Sequence, residues 1–239
     1  MSLFRYVLLL LVISSQVYAK PLRFVTFTIP LMVENRDKGL FVELTKEIAR
    51  RNNIEVTIDL MPPAKSFLAF SGGQAEALFP ALDGDTPKNG ARSVAFYEKV
   101  DFVFYREGHP FSTMKDLSGK KVGLTFRYRY ARDLLDNKKI HFEYSDDDVT
   151  NMKKLSAGEL DAFVVEERSG LKAVQLSGAK NIQYKASQPI SKQEVFYAFQ
   201  DSEEGRNLAQ RFSKTIAKLK SEGVFDQIMI NHPKTKILE

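Results

Sequence analysis

LRFVTFTIPLMVENRDKGLFVELTKEIARRNNIEVTIDL, residues 22–60, changes its apolar period twice, and that change decides the fold class. Leu22 to Thr26 is a short, mostly apolar run and reads as a strand. Phe41, Leu44 and Ile48 then recur at three- and four-residue spacing, a helical stripe that ends in basic Arg50 and Arg51 near Asn52. Beyond it Ile54, Val56, Ile58 and Leu60 alternate with Glu55, Thr57 and Asp59, the period of a strand with one buried face. The unit is β-α-β.

The same alternation continues outward. Pro62-Pro63 opens a short helix through Phe70, Gly72-Gly73 stops it, and Ala75 to Leu82 returns as a strand. Val100 to Tyr105 is another apolar strand, and Gly108 and Pro110 break the pattern after it. It restarts with a strand over 121–125, a helix over 128–135, a strand over 141–144, a helix over 149–157 and a strand over 162–165. Asp146 to Asp148 supply capping carboxylates, and Gly158 stands where a left-handed C-cap is wanted. Leu208, Phe212, Ile216 and Leu219 share one face of a long last helix, with Ser202 near its start and Gly223 past its end. Strands alternating with helices throughout define an α/β protein with mostly parallel strands.

The N-terminus addresses the compartment. Arg5 precedes an apolar run, Tyr6 to Ile13, and a polar stretch ends in Val17-Tyr18-Ala19. That is the pattern of a signal peptide over residues 1–19, cleaved after Ala19; the apolar core is far shorter than the ~20 residues of a membrane span. With no Cys, the mature chain carries neither disulfides nor a lipidated N-terminal Cys, so a free protein of a Gram-negative periplasm is expected, without stable membrane insertion. Removing Arg5 leaves 34 basic against 30 acidic residues, a mild net charge of +4. No Lys/Arg run of the kind that tracks phosphates interrupts the mixed surface, which argues against nucleic acid as a partner.

Several segments resemble the extracellular solute-binding proteins of polar amino-acid ABC transporters, in that family's order over nearly the whole mature chain. Phe27 to Leu31 stands where the family has an aromatic residue and prolines after its first strand, and Gly39 to Ile48 resembles its Gly-led first helix. MPPAKSFLAFSGGQAEALFPAL, residues 61–82, is similar to its helix, turn and strand, with Lys65 and Glu76 at the charged positions. Arg92, Phe96 and Tyr97 resemble the family's next stretch, and MKDLSGKKVGL, residues 114–124, the segment that opens its second lobe. GELDAFVVEERSG, residues 158–170, and FSKTIAKLKSEGVFDQI, residues 212–228, complete the series. The resemblance implies a two-lobed α/β clamp of the periplasmic-binding-protein type II fold. Its two hinge crossings separate a first lobe of residues 20–106 and 195–239 from a second lobe of residues 107–194.

It also implies a site between the lobes, where open α/β sheets bind ligands. Arg92 is the candidate for a ligand carboxylate, because a guanidinium offers two parallel donors; a surface Arg with a local partner is the alternative. Glu166 resembles the second-lobe Asp that accepts hydrogen bonds from a ligand ammonium, with Glu167 taking the role if the strand ends one residue later. Asp161 reads as structural. Phe27, and Tyr128 or Tyr130 from the second lobe, would cover the apolar part of a ligand unless they are core. Asp83, beside backbone amides of residues 81–83, stands where the family often has Ser or Thr. In VGLTFRYRYARDLL, residues 122–135, Arg127 and Arg129 replace a Gly and a small hydroxyl residue. One of them then receives an anionic group, favouring a ligand with more than one acidic group, or else both lie on the surface and pair with Asp133 or Asp136.

A monomeric protein that captures a small polar metabolite, an amino acid or related carboxylate, and delivers it to an ABC permease is therefore expected. A sensory module serving a receptor, or a dehydratase-like enzyme on the same scaffold, are the alternatives. His109, His141 and His232 lack metal-ligand spacing or a nucleophile partner, so no catalytic residue, metal or cofactor is expected.

Overall fold

Residues 22–60 form strand β1 (Leu22–Thr26), helix α1 (Leu40–Arg51) and strand β2 (Val56–Leu60) in a computed structural model that describes residues 21–83, 91–126 and 128–230. The leader expected at 1–19 lies outside the described residues, as do Arg127 and His232. Helix α1 buries Leu40, Phe41, Leu44 and Ile48, and its last turn pairs Arg50 and Arg51 with Glu47. Gly39 precedes it at φ 128°, where a Cβ would lie 2.5 Å from the Met32 carbonyl oxygen, so the turn admits only glycine. β1 and β2 run parallel, Leu22 opposite Val56, as a helical crossover requires.

The chain continues through α2 (Pro63–Ser71), β3 (Ala77–Ala81), β4 (Ala91–Arg92) and β5 (Tyr97–Arg106). Next come β6 (Lys121–Thr125), α3 (Arg132–Leu135), β7 (His141–Ser145), α4 (Asp148–Ala157) and β8 (Ala162–Glu166). It closes with α5 (Glu167–Ser177), β9 (Ile182–Tyr184), β10 (Ser191–Phe199), α6 (Glu203–Ser221) and α7 (Val224–Ile230). Caps fall where the sequence places them: Asp147 accepts from the Thr150 N–H at 2.7 Å, Gly158 sits at φ 82°, and Ser202 accepts from the Gly205 N–H at 3.0 Å. Asp148 is not a cap. It is the first residue of α4 and turns inward, accepting from Thr125 and Tyr128.

The helix expected over 128–135 shrinks to α3. Its N-cap residue Ala131 is extended, ψ 143°, and buried Tyr130 accepts the Thr125 N–H at 2.8 Å, which holds the preceding turn out of helical geometry. Helix α5 has no counterpart in the sequence pattern, since Ser169 and Gly170, weak in helix propensity, interrupt its first turn; burial of Ser169, Gly170 and Ala173 sets it instead.

The strands form one continuous sheet in the order β2-β1-β3-β10-β5-β8-β6-β7, with β4 added on β10 and β9 on β5. Parallel pairs lie toward its two ends, and β5 and β10 run antiparallel through its middle. Each middle strand changes partner along its length. Tyr97–Asp101 of β5 pairs with β10 and Asp101–Tyr105 with β8, whereas Ser191–Val195 of β10 pairs with β5 and Phe196–Phe199 with β3 or β4. Two lobes result. In the first, β1 sends Phe24 into one core with Phe41, Phe79, Tyr197 and Phe212, and Val25 into another with Phe70, Leu78 and Phe196. In the second, β8 likewise sends Val164 to one face and Phe163 and Val165 to the other. Along β5 the change of partner falls at Asp101.

Gly170 ties α5 to this sheet. A Cβ there would lie 2.4 Å from the buried Phe104 ring and 2.7 Å from Val165. Gly170→Ala should therefore destabilise the fold by about 1–3 kcal/mol through overpacking, read as an earlier midpoint in urea unfolding followed by circular dichroism. An unchanged midpoint contradicts this packing.

Candidate functional site

The carboxyl ends of parallel strands from both lobes face one another across β5 and β10, and a cavity opens there. From the first lobe Phe27 and Ile29 follow β1, Pro80 and Leu82 come from the end of β3, and Phe67 reaches in from α2. Met32 and Phe41 form its floor. The middle strands contribute Tyr97, Lys99 and Val195; the second lobe contributes Tyr128, Arg129, Glu166 and Ser169. Aromatic rings define the first-lobe wall: Phe27 and Phe67 lie 5.7 Å apart, and Phe41 meets Tyr97 edge-on at 5.3 Å.

Glu166 is the last residue of β8 and also the N-cap of α5, which points its carboxylate into the cleft and at a helix N-terminus together. One oxygen accepts from the Tyr97 hydroxyl at 2.7 Å and the other from the Ser169 N–H at 2.9 Å. The residue is 8% exposed, so this anion is held by donors rather than by water. Burial, and next the charge of Glu166, push the Tyr97 hydroxyl well above its ordinary pKa, which keeps it a proton donor to the carboxylate. Glu167 is used elsewhere, accepting from Tyr184 at 2.9 Å.

Arg129 crosses the cleft, its guanidinium 4.8 Å from the centre of the Phe67 ring. Lys99 is ion-paired with fully buried Asp101 and lies 5.3 Å above Tyr130; Ser191 donates to the same Asp101 at 2.8 Å. Lys99 and Tyr97 escaped the sequence reading as site residues, although Tyr97, Lys99 and Asp101 alternate along one strand face, the signal that marks them. Behind Tyr128 lies Asp148, which accepts from the Tyr128 hydroxyl at 3.3 Å and from Thr125, itself a partner of Asn151 at 3.2 Å.

Of the residues singled out from the sequence, Phe27, Tyr128, Arg129 and Glu166 line the cavity together. Arg92 does not. It lies on β4, opposite Ala198 of β10, ion-paired with exposed Asp83 and stacked 4.7 Å from Phe196, outside the lining. Lys65 is exposed on α2 and also outside it, and Arg127 is not among the described residues. Arg129 lies over Phe67 in the cleft. Asp161 is structural, accepting the Lys121 N–H at 2.9 Å. Among the described residues no cluster of three or more His, Cys, Asp and Glu is arranged to hold a metal.

Burial raises the Asp148 carboxyl to about 6, opposed by the bonds from Thr125 and Tyr128 and reinforced by Asp147 and Glu166. An acid raised from 3.8 to about 6 on folding keeps its proton in the folded state after the unfolded chain has released it. Its contribution is thus greatest below pH 4 and is lost as pH rises through 6, about 3 kcal/mol in all. Asp148→Asn should remove that slope, so that the variant gains on the parent in thermal stability between pH 5 and pH 7.5. Parallel pH profiles for the two proteins would exclude it.

No family model matches the chain. A Vibrio harveyi protein named, by inference, an amino-acid ABC transporter-binding protein, PatH, is 22% identical over 210 residues, covering 85% of this chain and 83% of that one. Among solved structures, the GluR0 ligand-binding core from Nostoc punctiforme, in complex with L-glutamate, superposes with a TM-score of 0.73 at 18% identity over 87% of this chain and 97% of that one. An ancestral arginine-binding protein bound to arginine gives 0.69 at 17% identity, over 87% and 96%. Identities this low speak for architecture, and with the two-lobed sheet they establish that the chain has the periplasmic-binding-protein type II fold.

Proposed function

We propose that this protein is an exported amino-acid-binding protein that closes its two lobes on the ligand in the periplasm and passes it, chemically unchanged, to an ABC permease. One observation carries the reading: a carboxylate, Glu166, and a guanidinium, Arg129, line the same cleft between the lobes. The two charges match the ammonium and carboxylate of a zwitterion, and a charged hydrogen bond in such a site is worth about 1.5–3 kcal/mol. The V. harveyi relative's name supports the same class. Among the described residues no helix is long and apolar enough to cross a membrane.

Ligand contacts from both lobes favour the closed state, because a ligand shifts an equilibrium only by its differential affinity for the two states. Phe27 and Phe67 on one side and Tyr128, Arg129 and Glu166 on the other provide such contacts. Bending is carried by β5 and β10, the strands shared by both lobes.

Calorimetry with the twenty protein amino acids should find a binder that also reduces the radius of gyration in X-ray scattering and is recovered intact by mass spectrometry. Recovery of an altered compound would replace binding by catalysis. Glu166→Gln keeps an oxygen for the α5 cap but loses the charge, and should weaken that ligand by about tenfold or more. Arg129→Ala should do likewise, whereas Arg92→Ala should leave affinity unchanged, since Arg92 lies outside the lining. Loss of binding in the Arg92 variant with no loss in the other two would move the site away from this cleft.

A further inference from the structure

The two walls of the cleft differ in kind. Every first-lobe side chain lining it, among the described residues, is apolar: Phe27, Ile29, Met32, Phe41 and Phe67, with Pro80 and Leu82 at the end of β3. The charged side chains belong to the middle strand, Lys99, or to the second lobe, Arg129 and Glu166, and Lys99 is already neutralised by Asp101. The end of β3 is also a poor place for an anion. Pro80, which lines the cleft there, has no N–H to give.

From this asymmetry we propose that the cleft selects α-amino acids with an apolar side chain, aromatic or branched aliphatic. The side chain is seated against the first lobe, and the ammonium and carboxylate are held at Glu166 and Arg129 of the second. The inference rests on the amino-acid-binding reading and names the substrate class within it. Turning the ligand the other way would press its ammonium onto Phe27, Ile29 and Leu82, none of which has a polar side-chain group, and away from Glu166; a buried charge without a partner is strongly disfavoured. A charged or amidic side chain seated against Phe27, Ile29 and Leu82 meets the same objection. An apolar one gains by leaving water, and aromatic walls reward it further.

The test is titration calorimetry of the full mature protein with L-phenylalanine, L-leucine, L-alanine, L-glutamate, L-glutamine and L-arginine. Phenylalanine or leucine should bind at least about tenfold more tightly than any of the last three. Phe67→Ala and Phe27→Ala, each checked for an unchanged circular dichroism spectrum, should lower the ratio of phenylalanine to alanine affinity by about tenfold or more. Preferred binding of glutamate, glutamine or arginine would overturn the apolar selectivity while leaving an amino-acid-binding protein. No binding of any of the six would overturn the apolar selectivity, and no binding across the twenty protein amino acids would overturn the amino-acid reading as well. An unaltered affinity ratio in both Phe variants would overturn the placement of the side chain on the first lobe.

Discussion

The antiparallel pairing of β5 with β10, Tyr97 opposite Val195 through Asp101 opposite Ser191, is the constraint on which the rest of the structure depends. Each strand spends one half of its hydrogen bonds on its partner and the other half on one lobe, so neither lobe's sheet is complete without the crossing. Asp101 stands at the junction with no exposed surface, receives Lys99 and Ser191 through its side chain, and has its carbonyl taken by the Ile190 N–H at 2.8 Å. A buried anion with that many donors holds the strand ends in register. The cavity exists because the lobes' parallel strands end on either side of this pair.

Position along a strand also explains the charge layout of the cleft. Glu166 ends one element and begins the next, so the backbone donors of α5 and the hydroxyl of Tyr97 satisfy it before any ligand arrives. That arrangement removes most of the reorganisation a free carboxylate would undergo on binding. Opposite it, the first lobe offers rings and aliphatic groups, which need no orientation beyond shape.

Elements written in local periodicity were legible in the sequence. β1 and β6 fall on the expected residues, and Glu166 could be placed because a strand of five apolar-to-acidic residues must end near it. The position of Arg92 was not legible, since it is set by a two-residue strand paired with Ala198 and Phe199, more than 100 residues away. Asp148 read as one of three capping acids, yet only Asp147 has the extended backbone of a cap, while Asp148 starts the helix and faces Thr125 across the β6 end. Phe27 lay between two readings, core and site; its ring meets Phe67, is only half-buried and lines the cleft. Local patterns carry period and polarity; pairing between distant strands decides which polar residues meet.

The chain has nine Tyr and no Trp, so its ultraviolet emission comes from tyrosine alone. Two of those hydroxyls, on Tyr97 and Tyr128, line the cleft while donating to the carboxylates of Glu166 and Asp148. A phenol bound to a carboxylate is dimmed by proton transfer in its excited state. The hydrogen bonds that organise the cleft thus put two of the chain's tyrosines beside carboxylates at the site itself. Tyrosine emission is therefore the signal that a guest competing for Glu166 is expected to change, without any added dye.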